Sequence, residues 1–311
     1  MTGVQTCALP IYKSNVKQET LKALQGHHST VYDMAFSSDE QQLAVGFKDG
    51  TVNLWNVQGK LLAKFQGHRE TIYGLSFSPN GQLLATASRD KTVRLWDLQG
   101  HLKQELKGHQ EPVYGVSFSP DGQLLATASS DKTVKLWDLQ GHLKQTFQAH
   151  HGPVHDVVFS PDGKHLATAS SDETAKLWDL QGNVLRSFQH SSGLVFRVNF
   201  SANSQLIATG EKDGAVSVWD LKGNLISKFK GHQGLVNSVR FLPNGQLLTS
   251  SRTEDSIRMW HVQTSPTQKL DQLLNRGCNW LSDYFYSHPQ KRLRFCKPHI
   301  PLFGETFEKL G

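Results

Sequence analysis

Cysteine is scarce: three residues in 311, Cys7, Cys278 and Cys296, with none between positions 8 and 277. A disulfide framework is therefore excluded for the long middle of the chain, and this usage fits a reducing, cytoplasmic setting. No run approaches the roughly eighteen apolar residues that a membrane-crossing helix needs. No lysine-led apolar stretch opens the chain, so a secretory leader is not expected either. The phosphate-cradling pattern Gly-x-x-x-x-Gly-Lys-Ser/Thr is missing, and no short His/Cys/Asp cluster has metal-ligand spacing, so neither a nucleotide nor any other cofactor is expected. Charge of one sign is also lacking. The formal net charge is +6, and half of it sits in His288–Gly311, which carries five Lys or Arg against two Glu. The rest is too diffuse for a nucleic-acid footprint.

What the chain has is a repeat. Trp55, Trp96, Trp137, Trp178, Trp219 and Trp260 follow one another at intervals of 41 residues. A strict period of that size calls for a repeat architecture. The clearest copy runs from Gly108 to Asp138, GHQEPVYGVSFSPDGQLLATASSDKTVKLWD. In it, Val113–Phe118 reads as a strand, and Ser119-Pro120-Asp121-Gly122 as a tight turn with Pro and Gly where turns favour them. Leu124–Ser129 is a second strand, Ser130-Asp131-Lys132 a second turn, and Thr133–Leu139 a third strand. Gln140–Gly141 then leads into a short fourth strand, His142–Phe147. Four short strands per unit of about forty residues predict a propeller blade. Val134 and Leu136 fall on one face of the third strand and Trp137 and Leu139 on the other. A sheet apolar on both faces needs a neighbour on each side, and a ring of blades supplies both. Phe36, Phe77, Phe118, Phe159, Phe200 and Phe241 recur at the same period and are expected between blades.

Gly-His, the Ser-Pro-Asp-Gly turn, the Asp turn and Trp-Asp recur in fixed order, the last as Trp96–Asp97, Trp137–Asp138, Trp178–Asp179 and Trp219–Asp220. Over residues 20 to 262 the chain thus resembles the WD-repeat family of β-propellers. The resemblance implies a buried hydrogen-bonded set of His, Ser or Thr, Asp and Trp in each blade. Those sets are His68, Thr86, Asp90 and Trp96; His109, Thr127, Asp131 and Trp137; and His150, Thr168, Asp172 and Trp178. Three copies depart from it. The first has Val45 at the hydroxyl position. The fifth has His190 one position early, with Ser191 at the histidine place. The sixth has Glu254 for the aspartate and Ser250 for the hydroxyl. A His with Ser or Thr and Asp also fits hydrolysis, but a site repeated in blade after blade with a buried Trp is structural, since an enzyme needs one asymmetric cleft. No enzyme is expected.

The fold expected is all-β, a WD-repeat propeller of six four-stranded blades over residues 12–262, with Thr20–Leu24 completing the last blade. The alternative is six visible blades of a seven-bladed ring. Residues 263–311 form a second region, in which Leu270, Leu273, Leu274, Leu281, Tyr284 and Phe285 keep helical spacing, followed by a basic tail. That region resembles the extension after the repeats in large bacterial WD-repeat proteins. Residues 1–11, MTGVQTCALPI, resemble a translated sequencing adapter and are left out of fold reasoning.

The resemblance implies a rigid, monomeric binding platform for a protein or peptide, not for nucleic acid or a membrane. A partner is expected on the face presenting Tyr32, Tyr73, Tyr114, His155, Phe196 and Asn237. Around them lie Lys48, Arg89 and Lys212, with Ser130, Ser171 and Thr253 at the matching positions. Aromatic and basic side chains together are what interface hot spots use. The second reading is a sensor or autoinhibitory module of a larger bacterial signalling NTPase or protease.

Overall fold

A computed structural model describes residues 29–262, apart from 192, 252 and 255. The first blade comprises β1 (Val31–Phe36), β2 (Gln42–Phe47), β3 (Val52–Asn56) and β4 (Leu61–Phe65). The second is β5 (Ile72–Phe77), β6 (Leu83–Ser88), β7 (Thr92–Asp97) and β8 (Leu102–Lys107). The third is β9 (Val113–Phe118), β10 (Leu124–Ser129), β11 (Thr133–Asp138) and β12 (Leu143–Gln148). The fourth is β13 (Val154–Phe159), β14 (His165–Ser170), β15 (Thr174–Asp179) and β16 (Val184–Gln189). The fifth is β17 (Val195–Phe200), β18 (Leu206–Glu211), β19 (Ala215–Asp220) and β20 (Leu225–Lys230). The sixth is β21 (Val236–Phe241), β22 (Gln246–Ser251) and β23 (Ile257–His261).

Each blade is an antiparallel meander whose strands pair in chain order, the sixth having three strands among the described residues. The protein is thus an all-β, six-bladed propeller, with no helix among the described residues. Thr20–Leu24 and the expected helical region from 263 onward lie outside them.

The core is the stack of blade faces. Ala126, Ala128, Val134, Leu136 and Phe147 of blade three pack on Val154, Val157, Phe159, Leu166 and Trp178 of blade four, all buried. Equivalent clusters join blades two and three, and blades four and five. Close approach at the inner strands requires small residues: a Cβ on Gly115 would lie 3.1 Å from both the Asp156 Cα and the Val157 nitrogen of the next blade. Side chains on the inner strands also satisfy the neighbour's backbone. Asp33 Oδ2 accepts from Leu75 N at 2.8 Å and Asp156 Oδ2 from Val198 N at 3.1 Å. Ser76 Oγ accepts from Phe118 N, Ser117 Oγ from Phe159 N, and Asn199 Oδ1 from Phe241 N.

The two ends of this series differ from its middle. Val31 is 36% exposed, whereas Ile72, Val113, Val154, Val195 and Val236 at the same position are fully buried. Met259 is 51% exposed, whereas Leu54, Leu95, Leu136, Leu177 and Val218 are at most 3% exposed. Among the described residues, β21 and β1 do not pack side by side as the other neighbouring inner strands do.

Candidate protein interface

The polar sets must be placed first, because they decide which side chains are scaffold. In blade two, Trp96 Nε1 donates to Thr86 Oγ1 at 2.9 Å, Thr86 Oγ1 lies 2.7 Å from His68 Nε2, and His68 Nδ1 lies 2.8 Å from Asp90 Oδ2. A carboxylate only accepts, so Nδ1 carries the proton, Nε2 accepts from the threonine hydroxyl, and the chain runs one way from Trp to Asp. Blades three and four repeat it with Trp137, Thr127, His109 and Asp131, and with Trp178, Thr168, His150 and Asp172. Burial alone would raise the Asp90, Asp131 and Asp172 carboxyls. The histidine and threonine hydrogen bonds outweigh it and hold all three well below the usual range. The histidine side chains are at most 2% exposed, so these sets lie inside the blades.

Two expectations are corrected. In blade six the hydroxyl is Thr249, not Ser250: Trp260 Nε1 donates to Thr249 Oγ1 at 2.7 Å, His232 Nε2 lies 2.8 Å from it, and His232 Nδ1 lies 2.8 Å from Glu254 Oε2. The turn after Phe241 is one residue shorter than in the other blades. Leu242 N bonds Gln246 O, four residues on, where Ser119 N bonds Leu124 O, five on. The missing residue returns between β22 and β23, so the tryptophan period survives the shift, and Glu254 takes the part of Asp131 in blade three, accepting from His232 Nδ1 and Gln233 N. In blade five His190, not Ser191, fills the histidine place: it is 2% exposed and its Nε2 lies 2.8 Å from Thr209 Oγ1. Its Nδ1 is buried without a hydrogen-bond partner, and Trp219 Nε1 lies a longer 3.3 Å from Thr209. Glu211, fully buried beside this set, accepts from Ser217 Oγ at 2.6 Å and pairs with Lys228 at 3.3 Å. Sequence periodicity gave no sign of that pair, although a Glu where the second, third and fourth copies have Ser was visible.

The residues expected to meet a partner fall into two groups. Tyr32, Tyr73, Tyr114, His155 and Phe196 form one continuous arc across five blades, each half-buried. Successive ring centroids lie 5.4, 5.0, 5.2 and 4.4 Å apart, edge-to-face between the tyrosines and stacked between His155 and Phe196. The stack results from inner strands side by side, each carrying its aromatic residue one place after the recurring Val or Ile. Asn237 does not extend it. Its side chain accepts from Ser250 Oγ at 2.9 Å, and its carbonyl accepts from Arg197 Nε at 2.8 Å. His155 Nε2 lies 2.6 Å from Ser171 Oγ. Burial, helped by the Arg197 charge, pushes its pKa down to about 4, so the ring is neutral and stacks as an aromatic.

Lys48, Arg89 and Lys212 are exposed on the turns between the second and third strands. Arg89 pairs with Glu70 at 3.3 Å, both half in solvent, a contact worth little by itself. Among the described residues no three His, Cys, Asp or Glu are grouped to hold a metal ion, and no helix is long and apolar enough to cross a membrane.

Six propeller blades, three of them with a complete His–Thr–Asp–Trp core, define the class of protein. The chain belongs to the WD-repeat β-propeller family. Residues 18–56 and 59–97 match the model described as WD domain, G-beta repeat, and residues 89–286 match the model described as IFT122 first beta-propeller. No curated protein matches the chain. Propellers of this family are in general non-catalytic scaffolds for protein–protein interaction.

Proposed function

We propose that a protein or peptide partner docks on the channel mouth, against Tyr32, Tyr73, Tyr114, His155 and Phe196, with Lys48, Arg89 and Lys212 at the rim. The observation that supports this is the unbroken arc of five half-buried rings. Buried scaffold positions hardly vary from blade to blade, but here the side chain changes from Tyr to His to Phe while staying aromatic. Rigid aromatic side chains supply contact area at little entropic cost, and a few such residues dominate binding energy. The polar sets support the same reading, because they fix the three blades that carry Tyr73, Tyr114 and His155.

The test uses peptides selected from a displayed random library on the whole protein. Changing Tyr73, Tyr114 and Phe196 together to Ala is expected to weaken the selected peptides tenfold or more while the melting temperature shows the ring still folded. Equal affinity for the two proteins would reject this surface.

A further inference from the structure

We propose that the outer wall of the propeller is a second docking surface, fitted to a polypeptide segment in which Asp or Glu alternates with aliphatic side chains. It is independent of the channel mouth. In the first five blades the third and fourth strands, with the turns that join them, span 52–65, 92–107, 133–148, 174–189 and 215–230. These stretches carry twelve Lys or Arg against five Asp or Glu, whereas the other described residues carry ten against sixteen. The chain spreads the outer cations from residue 60 to residue 230, and the fold stands them on one wall. Part of this charge is matched locally: Lys103 pairs with Asp97 at 3.0 Å, Lys144 with Asp138 at 3.5 Å and Lys228 with Glu211 at 3.3 Å. Lys60, Lys64, Arg186 and Lys230 are exposed, and no described carboxylate pairs with them. Beside the cations stand Leu61, Leu62, Leu102, Leu143, Val184 and Leu225, all 37–50% exposed.

The wall runs on from blade to blade, because the turn before a fourth strand leans on the fourth strand of the preceding blade. A Cβ on Gly100 would lie 3.1 Å from the Lys64 carbonyl oxygen. Gln145 Nε2 donates to Gln181 O, and Arg186 Nε donates to Lys222 O at 3.2 Å. Lysine on an edge strand commonly blocks pairing with another strand. Here the turns already occupy these edges, so edge protection does not account for the surplus. Spaced cations with aliphatic side chains beside them complement carboxylates interleaved with leucine, isoleucine or valine. Nucleic acid fits less well, since Phe65, Phe147 and Phe188 of these strands are at most 3% exposed and offer no face for a base to stack on. The match is clearest on blade one, where 52–65 holds Lys60 and Lys64 and no acid.

The test titrates the whole protein into a fluorescein-labelled peptide of three Asp-Leu-Glu-Gly repeats, read by anisotropy. A peptide of three Asp-Ser-Glu-Gly repeats, a short single-stranded DNA, and vesicles of equal parts phosphatidylcholine and phosphatidylserine serve as comparisons. Lys60→Glu with Lys64→Glu reverses charge, and Leu62→Gln with Leu102→Gln removes apolar surface; all four positions are exposed, so both variants are expected to keep the melting temperature. The expected result is saturable binding of the Leu peptide, weakened tenfold or more by the Glu variant and several-fold by the Gln variant. Binding is also expected to weaken several-fold between about 20 and about 200 mM salt, so peptides selected at the higher salt report on the channel mouth alone. Changing Tyr73, Tyr114 and Phe196 to Ala is expected to leave this binding unchanged, which separates the two surfaces. No saturation, equal affinity of the Ser peptide, tighter binding of the DNA or the vesicles, unchanged affinity in either wall variant, or loss in the alanine variant would overturn the proposal.

Discussion

Five of the six blades, the second to the sixth, are pinned at one atom, the threonine hydroxyl, which accepts from an indole and donates to an imidazole. Thr127 is fully buried and serves Trp137 and His109 in this way. Thr127→Val keeps the shape but strands both partners, and a buried unsatisfied group costs about 1–3 kcal/mol. We expect a loss of about 2 kcal/mol or more in denaturant unfolding with an unchanged slope; a change below half a kcal/mol would contradict the role given to this hydroxyl. The arc has a residue-scale signature as well. His155 is held neutral in the fold, with its pKa pushed down to about 4. As pH falls below about 6.5, the unfolded chain takes up a proton that the fold refuses, so stability falls with pH between about 6.5 and 4. Its ring is partly open to solvent, so the contribution is on the order of 1 kcal/mol at pH 5. His155→Gln, which keeps a hydrogen-bonding group toward Ser171, is expected to flatten the decline measured from pH 7 to 5. His150 and His190 are lowered by burial as well and leave a residual slope.

At the scale of the blade, identical period does not mean identical stability. Blade five has a histidine whose Nδ1 lacks a partner and a longer indole bond. Native-state amide exchange is therefore expected to be faster in β18 and β19 than in β10 and β11; equal protection would contradict this. Position also matters. Leu136 is 3% exposed and packs on the next blade, so Leu136→Ala should cost about 2–5 kcal/mol. Met259→Ala, at the same place in blade six but half exposed, should cost under about 1 kcal/mol. Thermal or denaturant unfolding of the two variants checks the difference. The strands themselves were legible in the sequence: Val113–Phe118 and Leu124–Ser129 lie where the pattern put them. The shifts in blades five and six were not. Blade six loses a residue in one turn and regains it in the next, and in blade five His190 sits one place earlier in the segment between β16 and β17; the tryptophan period counts residues without showing either change. His190 and Thr249 had to be seen in place.

For the whole molecule, the repeat explains the ring, and the positions where the repeat varies explain what the ring offers. Tyr, Tyr, Tyr, His and Phe could be read as a set from the 41-residue period, but their continuity depends on inner strands lying a few ångströms apart. The measurement that tests this account most directly is amide exchange of the protein with and without a saturating library-selected peptide. The account predicts new protection around residues 72–74, 113–115, 154–156 and 195–197, with β4, β8, β12, β16 and β20 unchanged. Protection confined to those outer strands, with the inner ones unaffected, would contradict it.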